Sequence, residues 1–246
     1  MMSKSISVVV PVYNSENSLE QFYEVLSREL KKLCDIYEII MVNDGSCDNS
    51  YEIMKKIHNI DCRVKVIQLE GNFGQQNALM CGFHYSTGEY ILTLDDDLQH
   101  PPEEIYKLKE KIDEGYDVVY GIPIKAQHSI YRKMGSKMTN YMFNKICLKP
   151  KNIRISSFRI IRKNIVNEII RDKTSFVYIS AITFKITSNI ANVVVNHNPR
   201  RCGKSNYDFY KLLKLFTKLY VYYSGHKIFK RVTSKDEQFK IKDKLV

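Results

Sequence analysis

The chain contains no tryptophan, and its 246 residues include only ten glycines and six prolines. With so little of either, and no repeat or low-complexity tract, collagen-like, linker-like and disordered classes are excluded and a folded domain is expected. Cys34, Cys47, Cys62, Cys81, Cys147 and Cys202 stand far apart with no Cys-x-x-Cys pair. Neither a zinc site nor a disulfide framework is therefore signalled, and a reducing cytoplasm is the expected compartment. No uncharged apolar run reaches about 18 residues, so no membrane-spanning helix is expected. The opening MMSKSISVVVPVYN enters a strand pattern directly and lacks the apolar length of a signal peptide. The turn PVYNSENS after the first apolar run has no glycine, which excludes a dinucleotide-binding Gly-x-Gly-x-x-Gly there, and no P-loop occurs.

What is present in excess is positive charge, a net +11. Such a balance suits an anionic partner: nucleic acid, an anionic membrane surface or a phosphorylated substrate. A solvated lysine-rich surface gives the same composition. The aromatics do not interleave with arginines on a recognisable module, so nucleic acid is not expected as a partner.

Periodicity gives the organisation. Residues 6–12 (ISVVVPV), 37–43 (YEIIMVN), 63–69 (RVKVIQL) and the run YILTL read as buried strands separated by helical stretches, the first placing Leu19, Phe22, Leu26, Leu30 and Leu33 on one face. Strands alternating with helices predict an α/β fold with a mostly parallel sheet covered on both faces, whose ligands bind beyond the carboxyl ends of the strands. Tyr13 and Asn14, Asp44, Asn72, and Asp95 to Asp97 all fall at that rim. DVVYGIPI (117–124) reads as a fifth strand. Beyond it a basic helix over Ile130–Ile146, a strand and turn in RISSFRIIRK (154–163) and a short strand VVVNH (193–197) are expected. DFYKLLKLFTKLYVYYSGHKIF predicts an amphipathic helix with Leu212, Phe216, Leu219 and Tyr223 on one face and Lys211, Lys214 and Lys218 on another. That stripe serves docking on the core or on a membrane equally. The charged tail from Lys230 is expected to fray.

The densest chemistry is YILTLDDDLQHPPE (90–103), an apolar run ending in three aspartates. Two carboxylates spaced by one residue after a strand can face one Mg²⁺ or Mn²⁺, hard cations that favour oxygen ligands and leave positions for substrate phosphates. An acidic N-cap turn has the same composition. Pro101 and Pro102 suit a helical first turn, with Glu103 and Glu104 complementing its dipole. His100 reads as a surface histidine at that helix start.

VPVYNSENSL, VNDGSCDNS, GNFGQQNAL and LDDDLQHPPE in this order and at βαβ spacing resemble the nucleotide-sugar half of family 2 glycosyltransferases with the GT-A fold, over residues 5 to about 125. The resemblance implies that Pro11, Tyr13 and Glu16 line the base and ribose pocket, that Asp44 bonds the nucleobase, and that Asn72, Asp95 and Asp96 also bind the nucleotide. It implies Asp95, Asp97 and Gln99 as metal ligands. Turn capping is the structural alternative for Asp44 and Asn72. In the second half, IYRKMGSKMTN, ISSFRIIRK and VNHNPRRCGKSNYDFYKLLKL look like the polyprenyl-phosphate sugar transferases. Arg132, Ser136, Arg200, Lys204 and Ser205 would hold the acceptor phosphate, with Asp97, Arg132, Ser136 and Arg159 catalytic.

The reaction so implied is inverting transfer from a UDP- or GDP-linked sugar to a polyprenyl phosphate of the undecaprenyl type. Such an acceptor is already anionic and needs no general base. The absence of a Glu-Asp pair between residues 125 and 205, and of a Gln-x-x-Arg-Trp motif, favours that acceptor over a glycan hydroxyl. A non-enzymatic nucleotide- or nucleic-acid-binding protein is the remaining alternative. The sequence departs from the family pattern at His100, at Pro123 and around Asn152. Most relatives continue into two transmembrane helices, so an amphipathic helix or a membrane partner protein would bring this chain to the cytoplasmic face of the membrane. The expected organisation is one domain over 1–229, with a nucleotide-sugar half (1–125), an acceptor half (126–207) and the basic helix (208–229), then a tail (230–246).

Overall fold

Apolar runs flanked by polar residues pair into one sheet in the computed structural model, which describes residues 5–123, 147, 149–198, 209–224 and 237–246. The strands are β1 (Ile6–Val12), β2 (Tyr37–Asn43), β3 (Val64–Leu69), β4 (Tyr90–Thr93), β5 (Val118–Pro123), β6 (Arg159–Arg162), β7 (Ile190–Val195) and β8 (Ile241–Leu245), in the order β7-β5-β6-β4-β1-β2-β3-β8. Joins among β4, β1, β2 and β3, and between β5 and β7, are parallel; β6 runs antiparallel to β4 and β5, and β8 antiparallel to β3. The expected mostly parallel α/β sheet is present, and β6 is its internal antiparallel member.

Helices cover both faces. On one side α1 (Leu19–Leu33), α2 (Ser50–Ile60) and α4 (Ile105–Asp113) cover the sheet; on the other lie α3 (Gln75–Tyr85), α5 (Lys163–Ile169), α6 (Ile179–Ile186) and α7 (Phe209–Tyr223). Leu19, Phe22, Leu26 and Leu30 of α1 recur at helical spacing and are fully buried, each contributing about 1.5–3 kcal/mol of transfer free energy. RISSFRIIRK departs from expectation in that β6 runs straight into α5 rather than a turn, because Ile165, Val166 and Ile169 supply a buried helical face.

Two C-terminal expectations are corrected or resolved. The tail does not fray throughout: Ile241–Leu245 covers the outer edge of β3, with Tyr51 donating to Asp243 at 2.7 Å and Lys240 pairing with Glu70 at 2.9 Å. Its charged residues are those tolerated on an edge strand, where one side of the ladder meets water. The last turns of α7 dock on the core, since Leu219 and Tyr223 are buried while Lys214 and Lys218 stay exposed. Tyr223 Oη donates to the Phe176 carbonyl at 2.8 Å and accepts from the Tyr178 N–H at 3.0 Å. Tyr223→Phe is expected to cost about 1–3 kcal/mol, because it leaves both backbone groups without their partner; urea denaturation measures it.

Candidate active site

The strand order jumps between β4 and β1, the switch point beyond whose carboxyl ends parallel sheets place a ligand crevice. Pro11 marks where it begins. The β1–β4 pairing stops at Val9↔Thr93, so at half-buried Pro11 the missing N–H faces no ladder partner. The loops after β1, β2, β3 and β4 are each hydrogen-bonded to the next.

Leaving β1, Tyr13 is 49% exposed and Asn14 is left-handed at φ 52°, a conformation asparagine tolerates. Asn14 Oδ1 accepts from the Cys47 N–H at 2.8 Å, and the Ser15 N–H donates to Ser50 Oγ at 2.8 Å. Glu16 Oε2 accepts from both the backbone N–H (3.0 Å) and Nδ2 (3.1 Å) of Asn49. The loop after β2 is thereby laced to the loop after β1. Asp44 is buried and ties it onward, accepting from the N–H groups of Phe73 (2.7 Å) and Gly74 (2.9 Å). Burial raises its pKa against the lowering effect of those two bonds. The capping role foreseen as an alternative for Asp44 is thus realised, whereas Asn72 stays exposed at the loop tip.

The loop after β4 carries the three aspartates. Asp95 accepts from Gln75 Nε2 and, at 2.7 Å, from Ser157 Oγ at the entry to β6. Asp97 Oδ1 accepts from the Gln99 N–H at 3.0 Å. Asp96 Oδ2 is buried without a hydrogen-bond partner. Burial pushes the Asp96 carboxyl up to about 7, with the Ser15 hydroxyl opposing and the charges of Asp95 and Asp97 adding to it. Asp95 is also raised, by burial first, with Ser157 opposing and Asp97 adding. Three carboxyls are thus concentrated in one turn against their own electrostatics. Among the described residues no three acidic, histidine or cysteine side chains form a ready cage. The donor set is nonetheless one that fits Mg²⁺ or Mn²⁺: half-exposed carboxylate and amide oxygens in one turn, with Asp96 Oδ2 buried and unpartnered beside them. Asp97, Gln99 and Asp95 are the residues that could hold the ion.

Arg159 lies at the inner end of the site on β6, opposite Thr93, and is 2% exposed. Its Nη1 donates to Ser180 Oγ at 3.0 Å while Nε and Nη2 are buried without partners, and its charge lowers the Asp95 pKa. Arg132, Ser136, Arg200, Lys204, Ser205 and the expected helix 130–146 lie outside the described residues. His100 is corrected: it is buried, its ring 5.4 Å from that of Phe158 and 4.9 Å from that of His197. Burial pushes its pKa down to about 4, so it is neutral at ordinary pH.

Sequence reasoning missed Gln75, Ser157 and Asn198, whose bonds to Asp95, Leu98 and Gln99 shape the aspartate loop. All three stand inside quoted motifs, GNFGQQNAL, ISSFRIIRK and VNHNPRR, and that adjacency was the available signal. Gln75 also borders a cleft of about 370 Å³ lined by Phe73, Asn77, Phe176, Lys218 and Tyr222. The cleft and the aspartate loop therefore share a wall.

Comparison with known proteins accords with this geometry. An undecaprenyl-phosphate 4-deoxy-4-formamido-L-arabinose transferase from Proteus mirabilis (strain HI4320) is 39% identical over 213 residues, covering 85% of this chain and 65% of the relative. The protein of that name from Yersinia pestis (strain Pestoides F) is 37% identical over 215 residues, again covering 65% of the relative and 86% of this chain. The chain thus spans under two thirds of the length of these curated relatives. A crystal structure of glucosyl-3-phosphoglycerate synthase from Mycobacterium tuberculosis in complex with Mn²⁺, UDP and phosphoglyceric acid superposes with a TM-score of 0.62 at 18% identity, over 89% of this chain and 76% of that one. That likeness establishes the GT-A fold. The profile of the family described as "Glycosyl transferase family 2" matches residues 7–170, the span that builds the laced loops and the aspartate turn. On that match the chain belongs to glycosyl transferase family 2.

Proposed function

We propose that this chain moves a sugar, with inversion, from a UDP-type nucleotide sugar to a polyprenyl phosphate of the undecaprenyl class. The observation that carries the reading is the Asp95–Asp97 turn at the β4–β1 switch point, whose crowded, half-buried carboxyls suit a cation and a phosphorylated ligand. The relatives named as undecaprenyl-phosphate transferases support the acceptor, and the neighbour crystallised with Mn²⁺ and UDP supports the donor class.

In this reading Pro11, Tyr13, Glu16, Asp44 and Asn72 form the nucleotide side of the crevice, Asp44 acting by fixing the 71–74 loop as well as by facing the base. Asp95 and Asp96 extend that wall toward the ribose and diphosphate. A bound Mg²⁺ or Mn²⁺, held through Asp97, Gln99 and Asp95, would neutralise charge on the departing diphosphate. Arg159 contributes from beneath, its buried charge opposing part of the rise that burial imposes on the Asp95 carboxyl. The acceptor phosphate is anionic at neutral pH and attacks the anomeric carbon directly, so the protein's task is orientation and charge neutralisation. Arg132, Ser136, Arg200, Lys204 and Ser205 are assigned to that phosphate.

Among the described residues no helix is long and apolar enough to cross a membrane. Exposed Lys214 and Lys218 of α7 suit an anionic membrane surface on the cytoplasmic face, and a membrane partner protein is the other route to a lipid acceptor. Incubation of the chain with Mn²⁺ and a panel of UDP- and GDP-sugars, including UDP-4-deoxy-4-formamido-L-arabinose, tests the proposal. Undecaprenyl phosphate in anionic liposomes is one acceptor arm and a glycan hydroxyl acceptor the other. A glycosyl phosphoundecaprenol with inverted anomeric configuration is expected. Transfer to the hydroxyl acceptor alone would replace this reading with glycan synthesis.

A further inference from the structure

The turn that presents Asp97 and Gln99 is clasped from outside by the segment leaving β7. Leu98, at its centre, is left-handed with φ 56°. A non-glycine residue so placed costs about 1–3 kcal/mol and persists only where its surroundings hold it. Those surroundings are specific. The Leu98 carbonyl accepts from Asn198 Nδ2 at 3.2 Å, and the Gln99 carbonyl accepts from the Asn198 N–H at 2.8 Å. One asparagine thus bonds two successive carbonyls, while the Gln99 N–H is turned inward to Asp97 Oδ1 at 3.0 Å. The neighbours of Asn198 brace it. His197 packs edge-on to the buried His100 ring, and Asn196 bonds both oxygens of Glu104 through its N–H (3.1 Å) and Nδ2 (2.8 Å).

We infer that Asn198 is a positioning residue for the divalent-cation site. It touches no reacting atom; it fixes the left-handed turn at Leu98 so that the Asp97 carboxylate and the Gln99 side chain are presented together. Groups that orient ligands in this way commonly carry 10–100-fold of metal affinity. The inference rests on the metal assignment made above, and the following experiment separates the two.

Mn²⁺ binding to the full chain with UDP present is measured by the electron paramagnetic resonance signal of free Mn²⁺, without acceptor or turnover. The proteins compared are wild type, Asn198→Ala, Asn198→Asp and a control, Asn189→Ala. The control also deletes an exposed asparagine bond to a carbonyl, that of Gly115 at 2.9 Å, away from the site. Both Asn198 variants are expected to weaken Mn²⁺ binding roughly tenfold or more, with melting temperatures matching that of Asn189→Ala. Asn198→Asp should fare no better than alanine, because its carboxylate cannot donate to the Leu98 carbonyl. Wild-type Mn²⁺ affinity in both variants would overturn the inference alone, as would equal weakening in Asn189→Ala. Absence of Mn²⁺ binding by the wild type would overturn the site reading and the inference together.

Discussion

Asp97→Ala is expected to lower sugar transfer by well over 100-fold with the fold intact. Loss of a group that merely orients a metal ligand costs 10–100-fold, so loss of the carboxylate proposed to ligate the ion should exceed that range. The same substitution should not destabilise the protein. The Asp97 charge is among the causes that raise the pKa of both Asp95 and Asp96, so its removal relieves repulsion in a half-buried cluster. A melting temperature at or above that of wild type, alongside lost activity, is the signature of a residue kept for function against its local electrostatics. Initial rates across a Mn²⁺ titration, with calorimetry on the same samples, check both halves. A variant that kept more than a tenth of wild-type activity at saturating Mn²⁺ would show that Asp97 is not a ligand.

The parts of this structure that the sequence discloses are those governed by local pattern. β1 to β4 are apolar runs at strand length, and the polar residues that end them, Tyr13, Asp44, Asn72 and Asp95, had to lie on one rim once the sheet was parallel. Four motifs in register disclose the family for the same reason, since each is contiguous. What stayed hidden depends on partners far along the chain. Gln75 and Ser157 reach Asp95 from 20 and 62 residues away, and Asn198 reaches Leu98 from 100 residues away. No periodicity reports such a contact. His100 was misread because its ring packs against Phe158 and His197, which flank β6 and β7 far along the chain. The strand at Ile241–Leu245 was hidden by its lysines and aspartate, which are depleted in central strands and acceptable only at an edge. β6 was foreseen as a strand, but its antiparallel place inside the sheet follows from Thr93 pairing with Arg159, a topological fact with no local signature.

Gly45→Ala is the substitution in the nucleotide half with the largest expected effect on stability, because it sits where two backbones cross. Gly45 has φ 69°, which an alanine adopts only with strain. A Cβ there would also lie 2.5 Å from the Gly71 carbonyl carbon and 2.6 Å from the Asn72 nitrogen. Both are main-chain atoms, so relief requires the loops to separate. The 71–74 loop has little room to retreat, since Asp44 holds the Phe73 and Gly74 N–H groups from the adjoining position. Separation would break those bonds and release Gln75, the donor to Asp95. Strain of about 1–3 kcal/mol and overpacking of about 1–3 kcal/mol together give about 2–6 kcal/mol. At roughly 2–4 °C per kcal/mol for a chain of this size, the melting temperature should fall by roughly 5–20 °C. UDP binding should weaken in parallel, because the displaced loop is one wall of the crevice. Gly71→Ala is the matched control: its Cβ would meet nothing within 4 Å, and it should stay within about 1 kcal/mol of wild type. Calorimetry and UDP titration of the pair decide the matter. Equal melting temperatures for the two variants would mean that the contact between the β2 and β3 loops does not hold the nucleotide side of the site together.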